Sequence, residues 1–344
     1  MDGFTQGALG AAAGQMVYGK RLGRWSLPIG WGAGMLPDAD LLVRSASDPL
    51  LTIVVHRGFS HSLLFIPIGA ILATLPFMLK RALRAQWKSV YLCALLGYAT
   101  HGLLDTCTSY GTQLLWPLSN HRFSWDLISV VDVFFTLPLL AAVVLATRRR
   151  SPRPARLGMA WVGIYLSFCA LQSWRVSRAQ DQLAAARGDI IVSKRQVPAP
   201  LTNLVWRSVY KTDTGELVAD SMRANLLGEL TYRPGQRLQS LSSDDLDAIA
   251  ARARRPKTMR GDLERWRWFT DGFLAVTPGD PTLVGDMRIT GKGGGFSPLW
   301  GLELRMGESP ELAWGNRRSN VDTGLLWNEL LGRNPGHRTI ESSE

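Results

Sequence analysis

Three apolar stretches of bilayer length decide what this chain can fold into. Residues 62–79 and 157–174 contain no Asp, Glu, Lys or Arg, and residues 128–147 contain only Asp132. A helix needs about 20 apolar residues to cross a bilayer, so runs of this length predict membrane spans. A fourth stretch, 89–107, is apolar apart from His101 and Asp105. The shorter stretches 4–19 and 26–36 are rich in Gly and Ala. Within the first, Gly10 and Gly14 flank three alanines, a small-residue face suited to close helix contact. These two are expected to be half-spans or buried hairpin helices. The start has no basic segment ahead of its apolar run and is not read as a cleaved signal.

Charge sharpens this picture once the chain is divided. Over all 344 residues the net charge is +11, which taken alone suggests a basic soluble protein with a nucleic-acid partner. Residues 1–174, however, hold 15 Lys and Arg against seven acids, all Asp, whereas residues 175–344 hold 24 against 21. Twelve of those 15 basic residues sit in three turns: Lys20, Arg21 and Arg24; Lys80, Arg81, Arg84 and Lys88; and Arg148, Arg149, Arg150, Arg153 and Arg156. The positive-inside rule places all three turns in the cytoplasm. The seven Asp, with His56, His61, His101 and His121, then fall on the outer side, where the chain after Trp174 also emerges. Split in this way, the basic residues do not make a nucleic-acid surface. Thirteen Trp and the apolar content exclude disorder. Cys93, Cys107 and Cys169 are too few, and odd in number, for a disulfide scaffold.

The expected fold is an all-α polytopic membrane helical bundle, with about four long spans plus N-terminal short helices, over residues 1–178. A linker over 179–200 and a small extracytoplasmic α+β domain over 201–344 follow. In the polar half, residues 204–210 and 217–223 flank a Thr212–Gly215 hairpin signal. Residues 243–254 open with an N-cap and acidic first turn and predict a helix. Residues 269–277, 282–289 and 299–306 predict strands, and the last ten residues are expected to be loose. The glycine-rich 291–295 lacks the context of a phosphate loop.

Four of the five His lie among Asp residues in the apolar half. His101 and Asp105 are four apart and share one helix face. His56 and His61 are five apart, so both cannot ligate from one regular helix, and Gly58 argues for a loop. Asp38 and Asp40 follow Pro37 at the outer end of 26–36. Mixed His and Asp ligation suits zinc first, with manganese or iron as alternatives. The metal set is therefore Asp38, His56, His61, His101 and Asp105. Asp38 and Asp40 are the catalytic carboxylates, and Arg57 and Arg122 could clamp a phosphate. His121, Asp126 and Asp132 are accessory candidates. Taken singly, each has a plainer reading, as a cap, a core histidine or an ion pair. The argument for a site is their gathering at one predicted membrane face, where ionisable groups are costly without a partner and a role.

The segments MDGFTQGALGAAAG, GKRLGR, GMLPDAD, HRGFSHSLLF and HGLLDTCTSYGTQLLWPLSNHRFSWD, with the following VVD, resemble the YdjM-like inner-membrane family over about residues 1–140. Its members carry the label of metal-dependent hydrolases. The WFTDGF and GDMRI segments are similar to an outer-side extension of its longer members. The family is in turn distantly similar to zinc-dependent phospholipase C and the single-strand-specific zinc nucleases. That resemblance implies a helical phosphodiesterase site in which His101 and Asp105, with Asp38 and one of His56 or His61, form a metal centre.

The sequence therefore predicts an inner-membrane, multi-pass, metal-dependent hydrolase acting on a phosphoester of a lipid or envelope intermediate at the outer face. Two other readings compete. One is a non-catalytic anchor with a structural metal, presenting its C-terminal domain to an envelope partner. The other is an ion or proton transporter, which the lack of ionisable residues in the cytoplasmic halves of the spans disfavours.

Overall fold

A computed structural model of the protein describes residues 1–45, 48, 50–226, 228–253, 255–291, 293–305, 311–315, 323–331, 333, 336 and 338–340. The chain divides into two compact units. One comprises Met1–Arg44, Val55–Ala170 and Pro200–Thr202, the other Ser45–Val54, Leu171–Ala199 and Asn203–Glu344. The helices of the first 187 residues are α1 (Gly3–Leu22), α2 (Ser26–Met35), α3 (Leu51–Val55), α4 (Ile66–Thr74), α5 (Arg81–Arg84), α6 (Trp87–Thr106), α7 (Val133–Arg148) and α8 (Arg153–Arg187).

Helix α1 is the axis of the first unit. Asp2 caps it by accepting the Thr5 amide at 2.9 Å, and every residue from Thr5 to Gln15 is buried. The glycine face works as its spacing predicts. Gly10 lies against Gly30 and Gly34 of the antiparallel α2, and Gly14 lies against Cys93 of α6. A Cβ on Gly97 of α6 would come within 2.6 Å of the Gly30 carbonyl oxygen, so three backbones meet where no side chain fits. Polar pins secure the same helix. Gln6 reaches α6, while Thr5 and Gln15 bond Thr136 and Thr147 of α7.

The expectation of an all-α bundle with about four long spans is overturned. Among the described residues, only α8 is long and apolar enough to cross a membrane, or two segments if the bent pair Leu51–His61 and Leu63–Leu79 counts as one span. We discount that pair, because Leu50, Ile53 and Val54 pack in the core of the second unit. Each shortened segment has a local cause. In 62–79, Pro67 and Pro76 leave a nine-residue α4 between 3-10 turns. In 128–147, Asp132 caps the helix at Val133, leaving 16 residues, or about 24 Å of helix. Helix α6 has 20 residues, but His101 and Asp105 lie among its buried positions.

Nor is the remainder a linker followed by a domain. Residues 179–200 are the end of α8 and strand β1 (Ile191–Pro198). The second unit contains two antiparallel sheets. One has the order β1-β2-β3-β4-β9, adding β2 (Val205–Thr212), β3 (Glu216–Ala224), β4 (Leu230–Gln239) and β9 (Arg338–Thr339). The other has the order β5-β6-β7-β8, from β5 (Leu274–Thr277), β6 (Asp280–Asp286), β7 (Gly301–Arg305) and β8 (Glu311–Gly315). Alternation along the strands splits the larger sheet into two buried faces. Trp206, Tyr210, Val218 and Met222 pack against Val176, Ala179, Leu183 and Ala184 of α8. On the opposite face, Val209, Leu217 and Ala219 pack with Phe273, Ala275 and Met287. Helices α9 (Ser243–Ala251) and α10 (Pro256–Phe269) cover the smaller sheet, α9 opening on a Ser242/Asp245 capping box. Helix α11 (Thr323–Leu330) follows. The hairpin forms at Gly215, where φ is 84°. The strand expected over 269–277 starts only at Leu274, because Phe269 still belongs to α10. Arg254, Lys292, Met306 and several of the last ten residues, to which expectations were attached, lie outside the described residues.

Candidate metal centre

Helix α6 supplies His101 and Asp105 on one face, buried at 0 and 1 % exposure. Its close approach to α2 at Gly97 brings the Gly34 carbonyl oxygen to 2.6 Å from His101 Nδ1. After α2, Pro37 opens a 3-10 turn, Leu36–Leu42, that carries Asp38 and Asp40. The loop expected at Gly58 exists. Arg57 adopts a left-handed φ of 67°, and His61 ends the short 3-10 turn Phe59–His61. Tyr98 of α6 fixes this turn by donating to the Ser60 carbonyl oxygen at 2.7 Å. Gly102 makes room for the His61 backbone.

Four ligand atoms converge. His61 Nε2 and His101 Nε2 are 3.0 Å apart. Asp38 Oδ1 lies 3.6 Å from the first and 3.4 Å from the second, and Asp105 Oδ2 lies 3.5 and 3.9 Å from them. A tetrahedral zinc with bonds of about 2.0–2.1 Å has its ligand atoms roughly 3.4 Å apart, close to these five separations. The proton positions fit as well. His101 Nδ1 faces a carbonyl and His61 Nδ1 faces the Asp40 carboxylate at 3.4 Å, and both oxygens can only accept. With a hydrogen on each Nδ1, that of His61 also facing Ser60 Oγ at 3.0 Å, neutral rings would offer both Nε2 atoms as ligands. A divalent cation there would draw on both nitrogens and on carboxylate oxygens beside them. His61, His101 and Asp105 form one group with ligand atoms within 4.8 Å of one another, and Asp38, His56 and His61 form another.

The surrounding groups orient these ligands. Asp40 accepts from Ser60 Oγ at 2.5 Å and bonds His56 Nδ1 at 2.7 Å, so it steers both His56 and His61. Burial alone would raise the Asp40 carboxyl, but the bonds from His56 and His61 hold it below the usual carboxylate range. Asp105 Oδ1 accepts from the Met1 amino group at 2.6 Å and from Gln6 Nε2 at 2.8 Å, and Arg57 Nε lies 3.2 Å from its other oxygen. Asp38 and His56, at 24 and 22 % side-chain exposure, are the cluster's openings to the outside.

The remaining candidates do other things. Arg57 is held by Asp105, by Thr108 and over the Tyr110 ring. Arg122 donates to the Tyr110 and Gly111 carbonyl oxygens. Both guanidiniums brace the loop after α6. His121 is exposed and packs edge-on against Phe123. Asp126 is buried with φ 52°. Asp132 caps α7 and accepts from Tyr165 Oη at 2.8 Å, which is a structural role. Sequence reasoning missed Gln6, the Met1 amine and the Gly34 carbonyl. The one signal, for Gln6 alone, was that an Ala/Gly-rich helix carries two glutamines, Gln6 and Gln15.

The model of the YdjM inner membrane protein family matches residues 1–176. The inner membrane protein YbcI of Escherichia coli is 32% identical over 162 residues, which is 44% of this chain and 90% of that protein. The uncharacterized protein YfhP of Bacillus subtilis is 27% identical over 130 residues, 38% of each chain. No solved structure matches.

Proposed function

The chain belongs to the YdjM inner membrane protein family, and we propose that it is a membrane-bound, metal-dependent hydrolase of a phosphoester from a lipid or envelope intermediate. The observation that carries this reading is the approach of two imidazole Nε2 atoms to 3.0 Å with Asp38 and Asp105 around them. Asp38, His61, His101 and Asp105 would hold the cation, zinc before manganese or iron. Bound there, it would supply Lewis acidity, able to lower the pKa of water toward about 7. His56 is the proton acceptor of this reading. Its Nδ1 is engaged by Asp40, leaving Nε2 as a base on a partly exposed ring. Asp40 is a positioning residue, and neither Arg57 nor Arg122 is assigned to the substrate.

We place the centre and the second unit on the extracytoplasmic side. The support is charge. Five arginines lie in 148–156, before the apolar part of α8, and two, Arg175 and Arg178, lie just after it. One observation favours a second reading, a structural metal in a non-catalytic anchor: His61, His101 and Asp105 are as buried as closed structural sites usually are.

Elemental analysis of the detergent-solubilised full chain should find about one divalent metal per chain, falling to background in His101→Ala and Asp105→Ala. A metal-free wild type would end the proposal. With phosphodiester and phospholipid substrates, His56→Gln should keep the metal and lose roughly 10²–10⁴-fold in turnover. Bound metal without turnover in the wild type would leave the structural reading.

A further inference from the structure

In the first unit the charges are sorted by helix end. Helices α1 and α7 run parallel, as the pairs Thr5–Thr136 and Gln15–Thr147 show, and each begins at an Asp and ends in basic residues. Helices α2 and α6 run the other way, as the contacts of Gly10 with Gly30 and of Gln6 with Asp105 show, and each has basic residues before it and Asp at its far end. The result is one acidic pole, which holds the metal centre, and one basic pole.

Specific contacts join the basic turns at that pole. Arg24 and Lys80 both lie over the Trp25 ring, at 5.7 and 5.1 Å. Arg156 Nε donates to the Met16 carbonyl oxygen at 3.4 Å. A small void of about 10 Å³, room for roughly one water, lies between the end of α1 and the end of α7, lined by Gln15, Gly19, Ser26, Thr147, Arg150 and Ser151. In it, Gln15 Oε1 is buried without a hydrogen-bond partner, while its Nε2 bonds Thr147. No Asp or Glu occurs in residues 3–37, 62–104 or 133–170, so no carboxylate of these segments neutralises the pole. Exposed Trp87, with Lys88 over its ring, adds an interfacial aromatic.

We propose that this pole is a binding surface for the phosphate headgroups of anionic phospholipids, with the exposed Arg148, Arg149 and Arg150 as its central cations. The occupant follows from chemistry. Uncompensated cations interleaved with Trp, on a protein of an inner-membrane family, match an anionic leaflet surface.

The test uses the full chain in a zwitterionic detergent. A short-chain phosphatidylglycerol should raise the melting temperature, and the same chain length of phosphatidylcholine should not. The triple variant R148Q/R149Q/R150Q should weaken the apparent affinity by roughly a hundredfold. Equal shifts with phosphatidylcholine, equal shifts with inorganic phosphate at the same concentration, or an unchanged triple variant would each overturn the proposal. Metal content, measured on the same samples, reports on the opposite pole, so failure of the hydrolase reading would be seen separately.

Discussion

Asp40 shows how one side chain can govern a site without being one of its four converging ligand atoms. It bonds Ser60 and His56 and faces His61 Nδ1, setting the tautomer that leaves His61 Nε2 as a lone pair. Asp40→Asn keeps the shape and removes the charge. It should weaken metal binding by about 10–100-fold in a chelator competition titration, with the melting temperature of the metal-free protein nearly unchanged. Unaltered affinity would show that Ser60 alone suffices to hold His61. At this scale the sequence made some geometry readable and hid the rest. The four-residue step from His101 to Asp105 puts them on one face whatever the tertiary structure, and Gly58 announced the break between His56 and His61. The partnership of Gln6 with Asp105 spans 99 residues, and no local pattern encodes it.

Among the elements, the glycine contacts are the most exposed to test. Gly97→Leu would drive a branched side chain into the Gly30 carbonyl and separate α6 from α2, moving His101 off Gly34. A loss on the order of 3 kcal/mol is expected, read as a clear drop in melting temperature together with loss of bound metal. Gly163→Ala in α8, where nothing lies within 4 Å of an added Cβ, is the control and should be neutral. A stable, metal-replete Gly97→Leu would contradict the packing. The spacing of Gly10 and Gly14 foretold this contact, because small residues one turn apart always present one strip. Span lengths were misjudged for an equally physical reason. Hydropathy counts apolar residues but not the backbone breaks at Pro67 and Pro76 or the cap at Asp132. Strand β4 escaped notice because Pro234 and Gly235 disguise its alternation. It is tolerated where β3 slips register between Val218 and Asp220.

At the level of the whole molecule, the resemblance over the first 140 residues holds as family membership over 1–176, while the second unit lies almost wholly beyond that match. The orientation has a direct check. Alkaline phosphatase fused after Glu344 should be active if the second unit is extracytoplasmic, and the same enzyme inserted in the Arg148–Arg153 turn should be inactive. The reverse pattern would move the metal centre to the cytoplasmic face. The buried pins of α1 carry one more consequence, which concerns timing. Thr5 and Gln15 bond residues 131 and 132 positions later, and Gln6 bonds one 99 positions later. At roughly 5–20 residues per second, a ribosome needs on the order of ten seconds to deliver those partners. Through that interval α1 carries two side-chain amides, Gln6 and Gln15, that lipid alone would not satisfy, so it cannot settle before the helices that hold their partners are made.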